Sequence, residues 1–107
     1  MILIEVVFEA STDGRDGFAQ LARETTHASS RELGCILYRF TVDLNYADRF
    51  ILTELWETEE HLRAHFDGEA FKHFFAELPA LGRLVRSTEW QGPLASYVRP
   101  NVGDRPR

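Results

Sequence analysis

The chain has 107 residues, 44% of them hydrophobic and 27% charged, with a formal net charge of −5 and a single cysteine. That length holds one domain able to bury roughly two thirds of the surface its unfolded form exposes, and the composition excludes disorder driven by charge. An acidic balance with no basic run excludes a nucleic-acid partner, while one cysteine excludes an internal disulfide and fits a reducing compartment, so a cytoplasmic protein is expected.

The first stretch, Ile2–Phe8, is apolar on both alternating faces apart from Glu5. It carries no positive leader and no membrane-spanning length, so it predicts a two-sided buried strand with no membrane partner. Ser11-Thr12-Asp13-Gly14 supplies turn chemistry, with Asp13 the expected N-cap of a helix running to about Glu32. On that helix Phe18, Leu21, Ala22, Thr25 and Ala28 share one face and His27 projects opposite, into solvent. Leu33-Gly34 closes it, because glycine accepts a left-handed backbone.

Cys35–Val42 reads as a second strand, with Ile36, Tyr38, Phe40 and Val42 on its core-like face and Cys35, Leu37, Arg39 and Thr41 on the other. A hairpin loop over Asp43–Asp48 leads into a third strand, Arg49–Glu57, apolar but for Glu54 at its middle. Thr58 caps a helix that pauses at Asp67-Gly68 and resumes from about Glu69, leaving His73 solvated. Pro79 predicts a kink or break near Leu78. Leu84–Gln91 is a fourth strand, and Leu94–Val98 continues extended. Residues 1–98 thus form one domain and 99–107 a tail without periodicity.

Strand, helix, strand, strand, helix, strand is the ferredoxin-like βαββαβ order, an α+β fold with both helices on one sheet face. Strands apolar on both sides leave the other face needing cover, which a second copy packed sheet against sheet supplies, so a homodimer is expected.

Chemistry concentrates after the third strand. His61, Leu62, His65 and Phe66 share one arc of the helix, opposite Glu59, Glu60, Arg63 and Asp67. An imidazole at the edge of an apolar pocket suits deprotonation of a phenol or enol near neutral pH; the same placement also fits plain boundary residues. Histidines at i and i+4 without a third ligand at metal spacing do not define a metal site, and Glu54 is the only strand acid nearby. No metal or other cofactor is expected. Trp56, Phe66, Phe71 and Phe74 line a slot for a flat ligand or simply fill the core, and Arg39 either reaches a ligand or pairs with an acid.

The run Gly34-Cys35-Ile36-Leu37-Tyr38-Arg39-Phe40, with Leu55-Trp56-Glu57-Thr58, Leu62, Ala64-His65-Phe66 and Phe71-Lys72-His73-Phe74, resembles the antibiotic biosynthesis monooxygenase family. The resemblance implies a dimeric α/β barrel whose subunits each hold a small pocket between helices and sheet. It implies oxidation of an aromatic phenol, anthrone or quinol by molecular oxygen, with the substrate carbanion supplying the electrons. His65 is then the candidate base, His61 and Tyr38 orient the substrate, and Trp56, Phe66, Phe71 and Phe74 form the apolar wall. Ala70 departs from the family, many of whose members place a histidine there, and Ile2–Phe8 lacks the asparagine of the haem-degrading branch. A noncatalytic small-ligand binding or stress-response protein on the same scaffold is the competing expectation.

Overall fold

Alternation in the strands and three-and-four spacing in the helices produce four strands and three helices in the computed structural model, which describes residues 1–93. Their order is β1 (Ile2–Ala10), α1 (Arg15–Ser29), β2 (Cys35–Val42), β3 (Arg49–Trp56), α2 (Glu59–Phe66), α3 (Glu69–Leu81) and β4 (Gly82–Gln91). All neighbouring strands pair antiparallel in the sheet order β2-β3-β1-β4, so β1 lies between β3 and β4 in the ferredoxin-like arrangement. The expected extension over Leu94–Val98 and the 99–107 tail lie outside the described residues. Among the described residues no helix is long and apolar enough to cross a membrane.

One sheet face and the three helices share a single core. Ile2, Ile4, Val6 and Phe8 of β1 and Phe50, Leu52 and Trp56 of β3 meet Phe18 and Leu21 of α1, Leu62 of α2 and Phe74 and Leu78 of α3. On the other face β1 presents Leu3 and Val7, flanked by Leu55 and Ile51 of β3 and by Trp90 and Arg86 of β4. Trp90 there is 47% exposed.

Four details differ from the sequence expectation. Asp13 is not the cap of α1; Gly14 holds that position without a side-chain hydrogen bond. A Cβ at Gly14 would come within 2.3 Å of the Leu81 carbonyl oxygen, so close packing of α3 selects the residue there. Helix α1 stops at Ser29 rather than near Glu32, and short turns bonded Arg31 N to Ala28 O, Glu32 N to Ser29 O and Cys35 N to Glu32 O complete the connection. Ser29 is buried in the place expected for Ala28.

Ile36 and Val42 are exposed although their strand face looked core-like. β2 is an edge strand, and a register shift between Cys35 and Leu37 turns Ile36 out and brings Cys35 against the core. Pro79, finally, does not break α3, which runs on to Leu81. The donor it lacks belongs to the last turn on an exposed side, where losing one backbone bond is tolerated.

Candidate functional site

The alternation of β3 sends Phe50, Leu52, Glu54 and Trp56 to the same inward face, so an acid is built into the apolar side of the sheet. Glu54 is only 5% exposed. Its Oε1 accepts a hydrogen bond from the Trp56 indole Nε1–H at 2.9 Å, the neighbour two residues along on the same face. Burial is the main cause that raises the Glu54 carboxyl above its ordinary value, opposed by this hydrogen bond and by nearby His65.

Thr58 begins α2 by accepting from the backbone of His61, which places Leu62 and His65 on the buried side. His65 is 2% exposed. Its ring stacks on Trp56 at 4.7 Å between centroids, tilted 32°, with Phe71 edge-on at 5.4 Å and Tyr38 at 5.7 Å. Nδ1 lies 2.5 Å from Glu32 Oε1, and Nε2 lies 3.7 Å from Glu54 Oε1. A carboxylate only accepts, so the Glu32 contact places the ring proton on Nδ1 and leaves Nε2 facing Glu54.

Between this corner and the helices lies a cavity of about 220 Å³. Ile4, Val6 and Leu52 form its sheet side and Phe66, Phe71, Phe74 and Phe75 its helix side, while Tyr38, Glu54, His65, Ser87 and Glu89 supply the polar groups. Among the described residues no lysine or arginine lines it. The Tyr38 phenol is pushed well above its ordinary range, first by burial and then by the charge of Glu54. The Cys35 thiol is pushed up to about 11, mainly by burial and then by Glu54 and Glu32, which keeps it protonated and unreactive.

Of the residues singled out from sequence, Tyr38, His65, Phe66, Phe71 and Phe74 converge on this cavity. Trp56 does not line it but lies beneath His65 as the donor to Glu54. His61 stays outside, its Nδ1 2.8 Å from Thr58 Oγ1. Arg39 also stays outside; it lines an open groove between α1 and the β2 edge with Arg23 and His27. The sequence marks Glu54 as a metal ligand or as an ion-pair partner of an arginine, and it gives no role at the site to Glu32, Glu89, Phe8 or Phe75. Among the described residues no cluster of three or more metal-ligating side chains is present, and Glu32 and Glu54 address opposite nitrogens of His65 rather than one point.

The family model described as antibiotic biosynthesis monooxygenase matches residues 1–77. No curated protein sequence matches. Among solved structures, one from Deinococcus radiodurans, provisionally assigned to the antibiotic biosynthesis monooxygenases, is 22% identical, with 92% of this chain and 99% of that chain covered at a TM-score of 0.83. A Bacteroides thetaiotaomicron protein of unknown function, described as a possible oxidoreductase, is 25% identical over 83% of this chain and 94% of its own, at a TM-score of 0.78. A Nitrosomonas europaea structure with the same provisional family assignment is 19% identical over 86% and 98%, at 0.79.

Proposed function

The chain belongs to the antibiotic biosynthesis monooxygenase family, and from that membership we propose that it oxidises a small, uncharged aromatic phenol, anthrone or quinol with molecular oxygen, the substrate's own electrons reducing the oxygen. The observation that carries this reading is the apolar cavity ending in Tyr38, Glu54 and His65. Its aromatic walls hold a flat ring system and keep water from it, and its polar corner can accept an acidic substrate proton. Deprotonation leaves an electron-rich carbanion. Oxygen adds there; one atom stays as a new carbonyl and the other leaves as water, so an activated methylene plus oxygen gives a ketone plus water.

Size and charge narrow the substrate. A cavity of about 220 Å³ is below the roughly 300–1,000 Å³ of drug-sized clefts, which favours few-ring substrates. Glu54 and Glu89, with no lining cation among the described residues, disfavour carboxylates. Two copies packed through the face bearing Leu3, Val7, Leu55 and Trp90 form the working unit in this reading.

Oxygen uptake by chelator-treated, flavin-free protein tests it, with anthrone and 1,4-naphthohydroquinone as substrates and naphthoic acid as the charged control. Saturable uptake with the first two and no binding of the third is expected. Saturable binding of anthrone without uptake would favour a small-ligand binding protein instead. Light scattering tests the assembly: Trp90→Asp should convert a dimer to monomer, and a monomeric parent protein removes the paired-sheet reading.

A further inference from the structure

We propose that Glu54, rather than His65, takes the substrate's proton, and that His65 and Glu32 form a relay that holds this proton away from the carbanion and returns it. This rests on the oxygenase reading and assigns the proton steps within it.

His65 has one nitrogen committed, and the other, Nε2, makes no hydrogen bond among the described residues but has the Glu54 carboxyl beside it. Nδ1 is held by Glu32, and Nε2 faces Glu54 across 3.7 Å. Glu54 lines the cavity, Trp56 occupies Oε1, and among the described residues Oε2 accepts no hydrogen bond. At the far end Glu32 sits in the turn after α1 with its side chain 28% exposed, the one member of the three that meets water. Cavity, Glu54, His65, Glu32 and solvent therefore lie in series. The other titratable groups facing the series are Tyr38 and Cys35 from β2 and Glu89 from β4.

The transfers balance. The substrate C–H or O–H bond breaks, its electron pair stays on the substrate, and the proton goes to Glu54 Oε2. Rotation of the carboxyl, its two oxygens exchanging places, carries the proton to the side of Nε2 and closes the 3.7 Å gap; Nε2 takes it while the Nδ1 proton moves to Glu32, which exchanges with water. After oxygen adds to the carbanion, the reverse sequence delivers the first proton to the peroxide; Glu54, ionised again, then takes the second methylene proton as the C=O bond forms and the O–O bond breaks, and gives it to the departing hydroxide, which leaves as water. His65 then regains its starting tautomer, and no net proton is taken up or released, as conversion of a methylene and oxygen to a ketone and water requires.

Exchange of the anthrone methylene hydrogens in heavy water without oxygen isolates these steps from oxidation. Wild type should exchange them catalytically, and Glu54→Gln should lose about 100-fold or more while still binding anthrone. Glu54→Asp keeps a carboxyl and should fall between, which separates lost chemistry from misfolding. Glu32→Gln should slow exchange about tenfold, the scale on which outer partners act through a working side chain, with the rate recovering as formate buffer is added. Wild type should ignore formate.

Wild-type exchange in Glu54→Gln, or a Glu32→Gln rate equal to wild type and blind to formate, overturns the relay. Exchange that follows the expected pattern in a protein that consumes no oxygen sustains the relay and refutes the oxygenase reading alone. A wild type that binds anthrone without exchange refutes both.

Discussion

The two halves of β3 present the same alternation to the helices and build opposite interiors. At its start Phe50 joins Phe8, Phe18, Phe40 and Phe74, whose rings meet at centroid distances of 4.6–6.2 Å, several of them edge-on or tilted. At its end Glu54 and Trp56 meet His65 and Glu32 through directed polar contacts beside a cavity. The first half uses burial of apolar surface and stabilises the domain. The second buries a carboxyl whose raised proton affinity reflects incomplete compensation, a strain that suits proton transfer and works against stability.

The largest expected effect is on chemistry at the second end. Glu54→Gln should lower oxygen-dependent turnover of anthrone by about 10²–10⁴-fold, the usual range for removing a positioned acid or base, with affinity for anthrone kept. A loss confined to affinity would mean that Glu54 only shapes the cavity. At the first end Phe18→Ala should cost about 3–5 kcal/mol in a urea titration, since Phe18 is fully buried in the ring cluster and its removal leaves a void. Phe18 is not a cavity-lining residue, so turnover per folded molecule should stay within about twofold. A large fall in that ratio would show the two halves to be coupled.

Much of this division was legible in the sequence. The element order follows from local periodicity, and the pairing of inward Glu54 with Trp56 follows from strand parity alone. Parity also placed Arg39 opposite Tyr38, and the structure keeps Arg39 out of the cavity accordingly. Glu32 was not legible, because its contact with His65 depends on α1 ending at Ser29 and on a turn set by non-local packing. The register shift at Ile36 was hidden for the same reason: it depends on how β2 meets β3, and apolar β-branched residues sit equally well on either side of an edge strand. Aromatic identity alone could not tell Trp56 as a support under His65 from Trp56 as a wall.

The same contrast has a pH signature of intermediate size. The Glu54 carboxyl is raised in the folded state above its ordinary value, mainly by burial, so the folded protein holds this proton more tightly than the unfolded chain. Its contribution to stability is complete below the unfolded value and lost as pH rises through the folded one. Glu54→Gln removes that loss. Thermal melts should show the variant more stable than wild type by about 1–3 kcal/mol at neutral pH, the scale of an imperfectly paired buried polar group, with the difference closing in acid. A variant less stable at neutral pH would place Glu54 among the stabilising groups and dissolve the distinction between the two ends.

The smallest effect separates the two histidines of α2, one turn apart on the same helix. His65 is held between two carboxylates inside the protein, whereas His61 contacts the Thr58 hydroxyl at the surface and lies over Gly34. Gly34 has φ +83°, and a Cβ there would approach the His61 ring to 2.2 Å, so His61 occupies the space that glycine leaves at the start of β2. Since Thr58 still accepts from the backbone N–H of residue 61 when the ring is absent, His61→Ala should change stability by no more than about 0.5 kcal/mol and leave turnover intact. Gly34→Ala should cost more, from both the left-handed backbone and the ring contact. Combining it with His61→Ala relieves only the second, so the double variant should recover part of the loss; full recovery in a double-mutant cycle would mean that packing against His61, not backbone conformation, selects glycine at this turn.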